Sequence, residues 1–397
     1  MNCKQDSKGK SSKPTVVSVF GVEPIRIGGT ETFARELSSQ LGEHLWQSVL
    51  CFLSEPPEDV RQFLSLPNVS LEVLRDSVEL NWKSTRALAG ILRRYKPEIL
   101  HLHFTGFLGI FPWVGRALQT RKVFFTDQTS RPAGYVPHRA AFWKRALVRA
   151  INLPLTKVTC VSSYGYRCMT SLGVLPNDRY EMIYNSVDLS RVDPRPERAA
   201  DFRRRYVIPE DRTIVTQVSW IIPEKGILDL LEAARLVLQK NDKIQFVFVG
   251  EGPFREQYTK EALAMGLGDH VTWTGLVKDP FGEGVYDAAD VVCQVSNWEE
   301  VFGWVIAEAM SYGKPIVGTR VGGIPELVTD QQSGFVVDRG EVAAMADRIL
   351  ALVSNPQLRA RMGQVGIQAV VDRFDLRTNV GKLIGLYEID GSGNHQR

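Results

Sequence analysis

The stretch VVCQVSNWEEVFGWVIAEAMSYGKPIVGT occupies residues 291–319. It opens on an apolar run at 291–295, passes through a polar loop and continues as a helix-length segment at 304–311. Gly313-Lys314-Pro315 interrupts the helical pattern, and a second apolar run follows at 315–319. Strand, helix and strand in that order make a parallel crossover, because parallel neighbours need a long connection and a helix is the usual one. Continuous apolar runs of this length suit strands buried on both faces.

The same alternation continues in both directions. Further strands are expected at 214–218, 245–249, 271–274 and 334–337, with helices near 227–239, 254–265 and 342–353. Towards the N-terminus, strands are expected at 16–20, 48–53, 69–74, 99–103, 123–126, 158–161 and 181–184, with a helix at 31–41 built on Phe33, Leu37 and Leu41. Between the two series, residues 189–210 are rich in Arg, Asp, Glu and Pro and read as an interdomain connection with a short helix at 199–206. The expected fold class is therefore α/β. Two Rossmann-like, doubly wound parallel-sheet domains, 14–190 and 207–371, face each other across a cleft at the carboxyl ends of their strands, where such sheets bind ligands.

With 44% hydrophobic and 23% charged residues over 397 positions, the chain has the composition of a globular protein with room for two cores. A net charge of +3 argues against a nucleic-acid partner. The charge is uneven: residues 1–190 hold 24 Lys and Arg against 16 Asp and Glu, and the remainder 24 against 29. Such a bias is either a solvated basic face or an attraction for an anionic acceptor or membrane surface. In the segment 138–151, Phe142, Trp143, Ala146, Leu147 and Ala150 form one helical stripe, with Lys144, Arg145 and Arg149 mostly opposite. Either that stripe packs on the first domain with its charges in water, or the charged face, with Arg131 and Arg139, receives an anion.

Five scattered cysteines, Cys3, Cys51, Cys160, Cys168 and Cys293, contain no CxxC pair and suit a reducing compartment without a structural metal. Residues 1–13 read as a polar tail, and the apolar run at 16–20 is too short for a signal-peptide core. The longest stretch without Asp, Glu, Lys or Arg, 99–115, contains His101, His103 and Pro112 and reads as strand, loop and helix start, not a membrane span. The expected location is the cytoplasm, at most peripheral to the inner membrane face.

Glu300 and Glu308 stand eight positions apart around the start of the 304–311 helix. A helix N-terminus at a strand's carboxyl end offers free N–H groups and a positive dipole end to anions. Glu308, further into the helix, suits a pair of vicinal hydroxyls. Gly322-Gly323 follows the next strand, either as a tight turn or as a place where backbone approaches phosphate. Pro223-Glu224-Lys225-Gly226 follows strand 214–218 and puts Lys225 at the cleft edge, as a solvated helix-start residue or a counter-ion for a departing diphosphate. Gly250-Glu251-Gly252-Pro253 is another strand-to-helix turn of the kind that brackets a base or ribose. From the first half come Gly28-Gly29-Thr30-Glu31 and the 101–103 pair, where alternation aims His101 and His103 to one face, packed or touching ligand.

Taken together, Gly28-Gly29-Thr30-Glu31, His101-Leu102-His103, Val161-Ser162-Ser163, Asn185-Ser186-Val187-Asp188, Pro223-Glu224-Lys225-Gly226, Gly250-Glu251-Gly252-Pro253, the E-x7-E pair and Gly322-Gly323-Ile324-Pro325-Glu326 resemble family 4 of the nucleotide-sugar glycosyltransferases. The resemblance spans nearly the whole chain and implies the GT-B fold. It implies retaining transfer from a nucleotide-diphosphate sugar, with no metal or other cofactor, to a glycan, lipid-linked or small-molecule acceptor. Carried over, Lys225, Glu300 and His103 are the catalytic candidates. The donor would be held by Gly28, Gly29, Gly250, Glu300, Phe302, Gly303, Glu308, Gly322 and Gly323. Within that set, Glu300 would take sugar hydroxyls, Phe302 and Gly303 would offer N–H groups, Glu308 would take the ribose and Lys225 the diphosphate. Residues 372–390 would cross back onto the first domain as a helix.

Three positions depart from the family pattern. Ser219-Trp220 replaces the usual Gly-Arg, Asp127-Gln128 replaces a common histidine, and Ser186 replaces a glycine. Trp220 cannot supply the positive charge that normally shares the diphosphate with the lysine, and Arg131, Arg26 and Arg320 are the candidates to replace it. The rival readings are a catalytically impaired GT-B binding subunit and a nucleotide-sugar epimerase; the intact Glu300, Glu308 and Lys225 favour transfer.

Overall fold

The computed structural model describes residues 13–74 and 81–388. The tail expected at 1–13 lies outside the described residues apart from Lys13, as do Cys3 and the last two positions of the expected 372–390 segment.

Among the described residues the first sheet holds β1 (Thr15–Phe20), β2 (Gln47–Phe52), β3 (Val69–Val73), β4 (Ile99–His103), β5 (Lys122–Asp127), β6 (Lys157–Cys160) and β7 (Tyr180–Met182), in the order β3-β2-β1-β4-β5-β6-β7. The second holds β8 (Thr213–Val218), β9 (Ile244–Val249), β10 (Val271–Gly275), β11 (Val291–Gln294), β12 (Ile316–Thr319) and β13 (Gly334–Val337), in the order β10-β9-β8-β11-β12-β13. Neighbouring strands within both sheets pair parallel. The two sheets are doubly wound, and each reverses strand order once, between β1 and β4 and between β8 and β11. At each reversal the connections leave in opposite directions, and a crevice opens at the carboxyl ends.

Each strand read from the sequence has a counterpart, because a mostly apolar run such as β1, buried along its whole length, has no solvated face to offer a helix. Helices are less completely read. Glu58–Leu64, Trp82–Tyr95, Ser163–Ser171 and Pro356–Arg373 were not anticipated, whereas the helix start read before residue 115 is the helix Phe111–Ala117. The helix expected at 199–206 runs over Pro196–Arg205. Proline is tolerated at a first helical position, since its fixed φ fits and its missing N–H has no partner there anyway.

After β7 the chain passes to the second domain, and it returns through the helix Leu376–Glu388. Leu376, Val380, Leu383, Ile384 and Tyr387 join Val16, Leu37, Leu41, Ile99 and Phe124 in one apolar cluster, so this helix is part of the first domain's core. The crossing is pinned by backbone bonds from Val187 N–H to Phe374 O at 2.9 Å and from Leu376 N–H to Val187 O at 3.0 Å. Asn379 donates to the Ser186 hydroxyl at 2.7 Å, which gives the serine at this position a structural partner.

The helix Phe142–Asn152 corrects one expectation. Its apolar stripe does not pack on the first domain: Phe142 is 78%, Trp143 63% and Leu147 56% exposed. Arg145 instead tucks towards Gly173, and its guanidinium covers the Phe142 ring. No helix among the described residues is long and apolar enough to cross a membrane.

Candidate active site

The two reversal points face each other, so the loops after β1, β4, β8 and β11 share one cleft. The loop after β11 carries Glu300, which is almost wholly buried. Its Oε1 accepts from the Lys225 ammonium and from Ser296 Oγ at 2.6 Å. Its Oε2 accepts from Ser130 Oγ of the first domain at 3.4 Å. Burial alone would raise this carboxyl; the Lys225 charge and the hydrogen bonds from Lys225, Ser296 and Ser130 outweigh it and hold Glu300 below the ordinary glutamate range. Lys225 reaches Glu300 because Pro223–Lys225 is a single 3-10 turn ended by Gly226, ahead of the helix Ile227–Leu238.

Glu308 lies further along, in the helix Trp304–Ser311. Its Oε2 accepts from the Tyr286 hydroxyl. Burial raises its pKa, against the Tyr286 hydrogen bond and the charges of Arg26 and Arg191. Between the two glutamates, the N–H groups of Phe302 and Gly303 have no acceptor among the described residues. The Phe302 ring is buried between Tyr184 and Phe374, which fixes the backbone that carries those groups.

The glycines divide. Gly28 N–H is taken by Glu31 Oε2 at 3.0 Å, Gly250 N–H by Gly275 O at 3.0 Å, Gly322 N–H by Glu299 Oε2 at 2.7 Å and Gly323 N–H by Glu300 O at 2.7 Å. Gly322 has φ +53°, and a Cβ there would lie 2.0 Å from Glu300 O, so the residue shapes the Glu300 loop. Gly29 allows close approach across the cleft: a Cβ there would lie 2.7 Å from the Trp304 ring.

The two domains are in contact. Arg131 and Glu299 exchange backbone hydrogen bonds at 3.0 Å in each direction, and Glu299 Oε1 also accepts from Gly134 N–H at 2.9 Å and Arg339 at 2.6 Å. Glu326 accepts from Ser163 N–H at 2.8 Å and Tyr164 N–H at 2.6 Å, opposite the start of a first-domain helix.

Two family models match this chain: Glycosyltransferase Family 4 over residues 27–191 and Glycosyl transferases group 1 over residues 199–369. The chain belongs to glycosyltransferase family 4. Its first half and its second half are each recognised, and residues 192–198 join the two matched segments.

Among curated proteins, this glycosyltransferase is 33% identical over 214 residues to the alpha-D-kanosaminyltransferase of Streptomyces kanamyceticus, covering 54% of this chain and 55% of that one. It is 32% identical over 246 residues to a GDP-mannose-dependent alpha-(1-6)-phosphatidylinositol monomannoside mannosyltransferase of Mycobacterium tuberculosis, covering 60% and 63%. The matches thus span between about half and two thirds of these relatives. Among solved structures, a glycosyltransferase from Rickettsia africae superposes with a TM-score of 0.77 at 19% identity, over 94% of this chain and 98% of that one. Anabaena HepE in complex with UDP and glucose superposes with a TM-score of 0.76 at 18% identity, over 95% and 100%. These likenesses establish the GT-B fold.

In the family 4 glycosyltransferase, His103 is wholly buried at the end of β4, stacked on Phe20 at 4.7 Å and 3.9 Å from the His101 ring. Neither ring nitrogen has a partner, and burial lowers its pKa to about 3, so the ring is neutral. It lines a small pocket with Phe33, Thr126, Gln128 and Trp304. His101 instead bridges Tyr387 Oη at 2.5 Å and Thr126 Oγ1 at 2.6 Å and is structural. Asp127 is occupied by Arg131 at 2.8 Å. Tyr286, Ser130, Ser296 and Glu299 escaped sequence reading. Glu299 adjoins Glu300 and carried a signal as an adjacent acid, whereas the other three acquire meaning only from who faces them.

Proposed function

We propose that this protein is a retaining, metal-independent glycosyltransferase that moves a sugar from a nucleotide-diphosphate sugar to an acceptor hydroxyl. The carrying observation is the pairing of Lys225 with Glu300 at the reversal of the second sheet, beside the free N–H groups of Phe302 and Gly303 and ahead of Glu308. That set supplies a cation and N–H donors for a diphosphate, a carboxylate for sugar hydroxyls and a second carboxylate for ribose hydroxyls. Gly250 and the Gly322-Gly323 turn shape the walls of this donor site, and Gly28-Gly29 forms its lid from the first domain. The acceptor enters from the first domain, past His103.

In the reaction the bond between the anomeric carbon and the diphosphate oxygen breaks, and its electron pair leaves with the diphosphate. The acceptor oxygen bonds the same face of that carbon, and the hydroxyl proton passes to the departing phosphate oxygen. Lys225 and the N–H groups stabilise charge that grows on the leaving group. Domain contact positions the acceptor and keeps water out.

The acceptor belongs to glycan or glycolipid synthesis. One similar protein is named for a phosphatidylinositol monomannoside, and the outward face of Phe142–Asn152 suits peripheral contact with an anionic membrane on its cytoplasmic side.

The test is incubation of purified protein with UDP- and GDP-sugars in the presence of a chelator, with the anomeric configuration of the product read by NMR. Transfer with the donor's configuration is expected. Glu308→Ala should weaken nucleotide binding by about 1.5–3 kcal/mol, the worth of a hydrogen bond to a charged group. An inverted product, dependence on metal, or nucleotide binding without turnover would overturn the reading; the last would leave a binding subunit.

A further inference from the structure

Arg26 lies in the loop after β1 and is half-buried at the cleft. Among the described residues it has no hydrogen bond and no ion pair. Its charge nevertheless acts on Glu31, Glu308 and the Tyr286 hydroxyl, which sets the guanidinium against the donor half of the cleft. With Ile25 it forms one wall of a pocket; Ser219, Trp220, Gly250 and Glu251 of the second domain help to form the other. The other cations bordering this region are engaged: Lys225 with Glu300, Arg131 with Asp127, Arg191 with Asp279 and Arg339 with Glu299. Arg320 is turned to Asp338 and the Val336 carbonyl.

A guanidinium stays charged at any ordinary pH, and a partly desolvated charge without a partner is unfavourable. Such a group is matched by an anion that arrives from outside. The residue across the pocket is Trp220, at the position where the family resemblance leads one to expect an arginine.

We propose that Arg26 supplies the second positive charge for the donor diphosphate, from the domain opposite Lys225, and that Trp220 forms the apolar wall against which this arginine works. The proposal rests on the donor-site reading above. It has a consequence for closure. Lys225 comes from one domain and Arg26 from the other, so the leaving diphosphate is fully neutralised only when the domains meet. An open enzyme would hold its donor with half of that charge and would cleave it slowly.

The experiment compares wild type with Arg26→Ala, Arg26→Lys, Lys225→Ala and Arg26→Ala/Trp220→Arg. Melting temperatures are read with UDP and GDP against uridine and guanosine, and kcat and KM with the active donor. Arg26→Ala should lower kcat by about 100-fold, the usual effect of losing one donor to developing charge. Its melting temperature should rise less with the diphosphate than wild type's, while the rise with the nucleoside is unchanged. Arg26→Lys should recover part of both, and Trp220→Arg in the Arg26→Ala background should recover at least tenfold in kcat. If Lys225→Ala loses the diphosphate response and Arg26→Ala keeps it with wild-type kcat, the Arg26 assignment is overturned and the donor site stands. If neither variant changes that response, both are overturned.

Discussion

With neither His103 ring nitrogen hydrogen-bonded and no surface exposed, protonation would place a charge against Phe20 and His101 with no water to solvate it. Burial holds the folded-state pKa down at about 3, below the ordinary histidine value of 6.5. Between those two values the unfolded chain binds the proton and the folded chain does not, so stability falls as pH drops through that window. At pH 5 the loss from this one ring is about 2 kcal/mol. His103→Phe should therefore shrink the difference in urea-unfolding free energy between pH 7.5 and pH 5 by about 2 kcal/mol. An unchanged difference would show that the ring takes up its proton in the folded state. Glu300 is depressed in the folded protein, so its contribution is present above the ordinary glutamate range and is lost as pH falls through its folded value. Both residues thus make acid destabilising, by different routes: His103 because it must not be charged, Glu300 because it must be.

The helix Phe142–Asn152 buries little: among its members only Asn152 is fully covered. Its outward Phe142, Trp143 and Leu147 stand beside Lys144 and Arg149, and Lys144 lies 5.3 Å from the Trp143 ring centroid. Aromatic and leucine side chains among basic ones are the composition of a helix that lies in the plane of an anionic interface. Each basic residue near such a surface contributes about 1 kcal/mol, which salt screens. Wild type should sediment with vesicles containing phosphatidylserine and not with neutral phosphatidylcholine vesicles. Phe142→Ser/Trp143→Ser/Leu147→Ser should abolish sedimentation at every salt concentration, and Lys144→Glu/Arg145→Glu/Arg149→Glu should abolish it at low salt. Equal sedimentation of all three proteins would remove the membrane reading and leave a dissolved acceptor.

At the scale of the whole molecule, the cleft is held together by a few specific contacts: Gly29 under Trp304, Glu299 bridging Arg131, Gly134 and Arg339, and Glu326 on the start of Ser163–Ser171. Gly29 is the most exacting of these, because the Trp304 ring occupies the place of any β-carbon. Gly29→Ala forces that ring or its helix away and so hinders domain contact without touching the nucleoside pocket. Turnover should drop by tenfold or more, on the order of the penalty for misplacing reacting groups, while uridine or guanosine affinity, measured by calorimetry, stays as in wild type. Equal loss of nucleoside affinity would place Gly29 in donor binding itself.

Amino-acid order alone determined that the chain forms two parallel α/β units, because short, mostly apolar runs such as those of β1 and β11, alternating with helix-length segments, suit strands buried on both faces. It also singled out Glu300, Glu308 and Lys225, since glycine-punctuated strand-to-helix turns announce themselves locally. Short helices built from residues of modest helix propensity, such as Ser163–Ser171 with its serines, threonine and Gly165, were not readable, because packing and not local preference holds them. The roles of single side chains were decided by tertiary structure. Gly322 and Gly323 look like phosphate-binding glycines and are bonded to the Glu299 and Glu300 segment. His101 and His103 are neighbours in one strand, yet one is bridged by Tyr387 and Thr126 and the other is left without a partner. Three arginines were equal candidates to replace a missing charge, and the fold sets Arg131 on Asp127 and Arg320 on Asp338 while leaving Arg26 in the cleft. The reason is physical: a backbone pattern is set within a few residues, whereas a charge or a hydrogen-bonding atom takes its function from the partner that the fold brings to it, often more than a hundred positions away.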